Sequence, residues 1–81
     1  MQTYTGYRTV VDQLVKEKLT DSFLPDTDLR ILGMDSFKTI SLISSIEEKL
    51  EIVIDDEDLI IDNFLSYNQI ITLLSSKYIK D

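Results

Sequence analysis

The chain contains no cysteine, no histidine and no tryptophan, and only one proline and two glycines among its 81 residues. Without cysteine there is neither a disulfide framework nor a thiolate metal site, which fits a reducing compartment. Without histidine no imidazole-activated nucleophile is available. Cations are scarce: eight Lys and Arg stand against fifteen Asp and Glu, a net charge of −7. Nucleic acids and anionic membranes both select clustered cations, so neither is an expected partner. No apolar run approaches the length of a membrane span. Met1 to Thr5 lacks the basic and apolar segments of a signal peptide, and the expected location is the cytoplasm.

What the sequence does have is enough apolar material, 43% of residues, for one small core. Residues 1–81 are therefore read as a single domain rather than a disordered chain. The charge is unevenly spread. Glu51, Asp55, Asp56, Glu57, Asp58 and Asp62 fall between Leu50 and Ser76 with no basic residue among them. Such a run either faces a basic partner or simply keeps the surface solvated, and charge alone does not choose. Asp26 and Asp28 begin like a calcium loop, but the glycine it needs falls on Ile31 and its final glutamate on Phe37. No metal site is expected. Loose divalent binding at residues 55–58 competes with the simpler reading of acids at a helix start.

Apolar spacing divides the chain into helices. Tyr7, Val10, Val11, Leu14 and Leu19 recur at helical intervals, giving a first helix over residues 5–19, with Thr3 or Thr5 as its cap. Thr20 to Arg30 lose the period and hold Pro25, which marks a loop. Phe23, Leu24, Leu29, Ile31 and Leu32 are too apolar for a free linker, so some of them should pin that loop to the core. A second helix spans about residues 36–50, with Thr39, Leu42, Ile43, Ile46 and Leu50 inward. Glu51 to Ile54 has no partner strand and reads as an extended connector. A short helix around Leu59-Ile60-Ile61 follows the acids, ending near Asn63. Ser66 caps a last helix over about 67–79, with Ile70, Ile71, Leu74 and Tyr78 buried. The fold class is all-α: an antiparallel four-helix bundle, three helices long and one short, with a long loop between the first two.

The most informative stretch is Leu32-Gly33-Met34-Asp35-Ser36-Phe37. Asp35 suits an N-cap, and Ser36 then takes the first helical position with its hydroxyl outward. A phosphate ester there would meet the positive end of the helix dipole. Ser36 is not a nucleophile in its own chemistry. The nucleophile elbow needs glycines where Met34 and Lys38 stand, and the Ser-x-x-Lys pattern needs lysine where Thr39 stands. No catalytic residues are assigned.

These residues resemble the Asp-Ser-Leu motif of acyl carrier proteins, with Phe37 in the leucine's place. The upstream Leu32-Gly33, the downstream Glu47-Glu48-x-Leu50 and the chain length extend the resemblance over nearly the whole sequence. The resemblance implies that Ser36 carries 4′-phosphopantetheine, placed there from coenzyme A by a phosphopantetheinyl transferase. It further implies a freestanding, monomeric carrier that holds intermediates as thioesters for acyl-loading, acyl-transferring or condensing enzymes and catalyses nothing itself.

Partners should meet the serine end of the second helix. Asp35, Phe37, Ile40, Ser41, Ser44, Glu47 and Glu48 are the expected docking residues, Phe37 and Ile40 giving apolar contact and Glu47 and Glu48 steering a basic rim. The sequence departs from carriers of fatty-acid synthesis. Lys38 stands at a position usually acidic there, and Ser41 and Ser44 replace commonly acidic and apolar residues. A polyketide or other specialised pathway is the expected setting. An aminoacyl or peptidyl carrier of a nonribosomal pathway comes second, because Gly33-Met34 lacks the paired glycines common before that serine. An unmodified acidic helical adaptor is the alternative from a different class.

Overall fold

The fold grows from three amphipathic helices whose apolar stripes meet in one core; the computed structural model describes residues 6–19 and 21–79. Helix α1 (Tyr7–Lys18) buries Tyr7, Val11, Leu14 and Val15. Its N-cap is Gly6, in the left-handed region at φ 92° and without a side-chain cap bond. Thr3 and Thr5, the expected caps, lie outside the described residues. Helix α2 (Ser36–Leu50) buries Thr39, Leu42, Ile46 and Leu50, as the period predicts, while Ile43 is only half-buried. It ends at Glu51, held left-handed at φ 55° as the Glu47 carbonyl accepts the turn's amides, an arrangement most helices give to glycine. Residues 52–55 run extended, and no strand forms among the described residues.

Helix α3 (Tyr67–Leu73) starts at Ser66, whose Oγ accepts the Gln69 N–H at 3.1 Å. It winds on as a wider π-turn over Leu74–Tyr78, closed by the Ile79 N–H on the Leu74 carbonyl at 2.8 Å. Ile70, Ile71, Leu74 and Ile79 sit in the core. Tyr78, expected there too, is half-buried and turns its hydroxyl to the acidic segment.

The expected four-helix count needs correcting. The described chain has three α-helices, and the short helix expected at Leu59–Ile61 is replaced by two 3-10 turns, Asp56–Asp58 and Ile61–Phe64. The apolar run that follows the acids is too short to propagate an α-helix. A further 3-10 turn, Leu29–Leu32, lies in the long loop, where the sequence predicts none.

That loop is pinned as expected, but selectively. Leu29 is fully buried, Phe23 and Leu32 pack against the core, and Leu24 and Ile31 remain exposed. Backbone bonds complete the attachment: Leu29 N–H donates to the Leu65 carbonyl at 2.7 Å, and Asn68 N–H to the Pro25 carbonyl at 3.0 Å. The loop is thus fastened to the start of α3, and it delivers the start of α2 in a defined place.

Ile46 is fully buried in the middle of α2. Ile46→Ala should destabilise the fold by about 2–5 kcal/mol through lost transfer energy and an unfilled cavity. Thermal unfolding followed by circular dichroism checks this, and near-normal unfolding would contradict the packing described.

Candidate functional site

The start of α2 is set residue by residue. Asp28 caps the Leu29–Leu32 turn by accepting the Arg30 N–H at 3.0 Å and pairs with the Arg30 guanidinium at 2.7 Å. That pairing holds the Asp28 carboxyl below its ordinary value. Gly33 then turns left-handed at φ 98°, a region a side chain would strain. Met34 drops into the core, its N–H on the Leu29 carbonyl at 3.1 Å. Asp35 follows as N-cap. Its Oδ1 accepts the Lys38 N–H at 2.9 Å and its carbonyl the Thr39 N–H at 2.9 Å. Ser36 is therefore the first residue of α2, exposed, and its hydroxyl bonds no described residue.

Beside Ser36 runs an open groove of about 380 Å³. One wall is α2, with Thr39, Ile40, Ile43, Ser44 and Glu47, and the other is Leu59, Ile60, Ile61 and Phe64. Its lining is mainly apolar. Ile40 is 63% exposed at its lip, while Phe37, 86% exposed, projects from the serine end of α2.

The structure separates the expected docking residues into two groups. Phe37, Ile40, Ser44 and Glu48 are exposed on α2. Asp35 is engaged in the cap, and Ser41 Oγ accepts a hydrogen bond from Lys18 Nζ at 2.8 Å. Glu47 is half-buried, and its Oε2 accepts the Ile54 N–H at 2.9 Å. It braces the connector after α2, a role that helical spacing alone could not reveal because its partner lies beyond the helix.

The acidic segment forms the groove's far support. Lys77, the first cation after the acidic run, places Nζ 2.7 Å from Asp58, 3.2 Å from Glu57 and 3.8 Å from Asp55. The Tyr78 hydroxyl donates to Asp58 and accepts the Asp55 N–H at 2.9 Å. Asn63 Nδ2 reaches the Asp58 carbonyl at 2.9 Å. Asp55, Glu57 and Asp58 bring their oxygens close enough to surround a cation, and the cation they surround is Lys77. Hydrogen bonds from Lys77 and then from Tyr78 hold the Asp58 carboxyl below the ordinary 3.8. Asp58 and Glu57 in turn raise Lys77, and burial raises Tyr78 with help from Asp58. This latch joins the π-turn to the segment carrying Leu59, Ile60 and Ile61.

The class defined by these features is a small helical carrier domain, with a capped, exposed serine beside an apolar groove. The chain belongs to the phosphopantetheine attachment site family, whose model matches residues 9–74, most of its length. No curated protein and no solved structure matches the chain. Membership makes this a domain for covalent 4′-phosphopantetheine, served by a modifying transferase and by acyl-handling enzymes. Among the described residues no helix is long and apolar enough to cross a membrane.

Two outcomes test the internal roles. Glu47→Ala should cost about 1–2 kcal/mol by leaving the Ile54 amide without its acceptor, whereas exposed Glu48→Ala should stay within about 0.5 kcal/mol. Urea unfolding of both variants reads the difference. The latch predicts a pH dependence as well. Asp58 has a lowered value when folded, so its stabilisation is complete above 3.8 and fades as pH falls through the folded value. Lys77 and Tyr78 have raised values, so theirs is complete below 10.0 and fades as pH rises further. Thermal scans from pH 7 to pH 2 should show a shallower acid loss in Asp58→Asn than in the wild type. Some loss should persist, because Asp28 is also held low by Arg30.

Proposed function

We propose that Ser36 is the attachment point and that residues 1–81 act as one monomeric carrier domain in the cytoplasm, within a polyketide or other specialised pathway. The observation that carries the reading is the Ser36 hydroxyl itself, exposed on the first residue of a capped helix and bonded to no described neighbour. The surroundings fit the group. A phosphodiester on Ser36 meets the amide end of α2, where negative charge is favoured, and the rest of a flexible arm has an apolar groove alongside. When bound, the arm supplies the thiol that this cysteine-free chain lacks, on which an acyl group can be held as a thioester.

The chain's own residues hold and present. Asp35 fixes where α2 begins, Gly33 and buried Met34 fix how the loop enters it, and Ile40, Ile43 and Ile61 offer apolar surface beside the serine. Phe37 and Ile40 make the apolar contact with partner enzymes, and Glu48 is the carboxylate of α2 left free at the surface. Lys38, Ser41 and Ser44 support a specialised pathway over fatty-acid synthesis, since that face of α2 carries no carboxylate before Glu47.

Incubation with coenzyme A and a broad-specificity phosphopantetheinyl transferase, followed by intact mass, tests the attachment point. The wild type should gain one phosphopantetheine. Ser36→Ala should keep its thermal stability, because an exposed hydroxyl contributes little packing, and gain nothing. Modification of the alanine variant would move the site to Ser41, Ser44 or another hydroxyl. A wild type that stays unmodified would favour a plain helical adaptor.

A further inference from the structure

The surface of α2 is electrically two-sided in a way that the net charge of −7 hides. Lys16, Arg30 and Lys77 each pair with carboxylates, and Arg8 lies over the Tyr7 ring at 5.2 Å. The other described cations, Lys18, Lys38 and Lys49, make no ion pair with any described residue. All three gather on one edge of α2.

Positions 38, 41, 45 and 49 follow at steps of three and four, so they form one ridge along the helix. Lys38 and Lys49 mark its ends, about 16 Å apart at 1.5 Å per residue. Lys18 arrives from the end of α1 and is held mid-ridge by the Ser41 hydroxyl at 2.8 Å. Serines at 41 and 45 leave space for a lysine from the neighbouring helix, which longer side chains would fill. The Lys38 ammonium lies over the turn before Ser36, 4.0 Å from where a Cβ on Gly33 would stand. Phe37, the most exposed large apolar side chain, rises beside this ridge.

The nearby acids offset it only in part, with Glu48 exposed two turns beyond Ser41 and Glu17 exposed beside Lys18. Glu47 turns inward to the Ile54 amide, and Asp55, Glu57 and Asp58 are gathered on Lys77. We infer that the α1-side edge of α2 is a docking rim for an enzyme surface bearing carboxylates around an apolar recess that receives Phe37. Lys18 and Lys38 are its specificity-determining residues, and they disfavour enzymes whose own rim is basic. This inference rests on the carrier reading with Ser36 as the loaded residue. Three spaced cations suit separate carboxylates better than a phosphate polymer or a lipid surface, from which the chain's overall charge is repelled.

The test uses one broad-specificity transferase with a basic docking rim and a second form whose rim lysines and arginines are changed to glutamate. Loading of Ser36 is measured as kcat/KM for the wild type, Lys18→Glu, Lys38→Glu and the double variant across a salt series. Arg8→Glu changes net charge equally but lies at the far end of α1. With the basic-rimmed enzyme the double variant should load roughly three- to tenfold faster than the wild type at low salt, as expected for rim charges acting on encounter. With the acidic-rimmed enzyme the order should reverse, and both differences should fade near 1 M salt, where screening shortens to about 3 Å. Arg8→Glu should stay within about twofold of the wild type. Equal rates for all proteins, or an Arg8→Glu effect matching the lysine variants, would overturn the inference. So would lysine-dependent sedimentation with anionic phospholipid vesicles, or a lysine-dependent dimer in sedimentation velocity. A total failure to load any protein would strike the carrier reading first, and the inference with it.

Discussion

The hydrogen bond from the Lys38 amide to Asp35 Oδ1 settles where α2 begins, and almost everything functional is measured from that point. A side-chain cap of this kind is worth about 1 kcal/mol, a modest term beside the burial of Leu42 and Ile46. Its influence is geometric. A helix started one residue earlier or later would turn Ser36 by about 100° relative to the groove and would place Phe37 or Asp35 where the serine stands. The buried anchors on either side, Leu29 and Met34 before the cap and Leu42 after it, leave no freedom for that slip. Core packing and cap therefore agree on a single register.

The acid-rich half of the chain looks different once folded. As a linear run, Asp55 to Asp62 suggests a negative field directed outward. In the fold, three of those carboxylates converge on Lys77, and a fourth acid, Glu47, is spent on the connector. The segment therefore works largely as internal bracing for the wall that faces Ser36 across the groove. What reaches solvent along α2 is more balanced than the composition implies.

Much of this was legible in the sequence, and the limits have a common physical origin. The periodic stripe of α2 apart from half-buried Ile43, its Asp35 cap and the Ser66 cap of α3 are local patterns, set by residues within one or two turns of each other, and the sequence shows them. Contacts between distant residues leave no such local pattern. Nothing near Lys77 in the chain announces that it will meet Asp58, nor does helical spacing tell that Glu47 will reach past its own helix to Ile54. The short fourth helix is absent for a local reason instead: its apolar run is too brief to propagate an α-helix, and 3-10 turns take its place. Lys18 lies within the helix expected over residues 5–19, but its seat on Ser41 belongs to the packing of two helices and leaves no trace in either one alone.

The fastening of the long loop has a consequence for the order of events during synthesis. Leu29 and Pro25 are tied to Leu65 and Asn68, partners some forty residues downstream. Such contacts cannot form until the later segment has been made, so they are closed late in synthesis. A nascent chain that already contains α2 still lacks what holds its entry loop. What fixes the approach to Ser36 therefore arrives with the last helix and not with the helix that bears the serine.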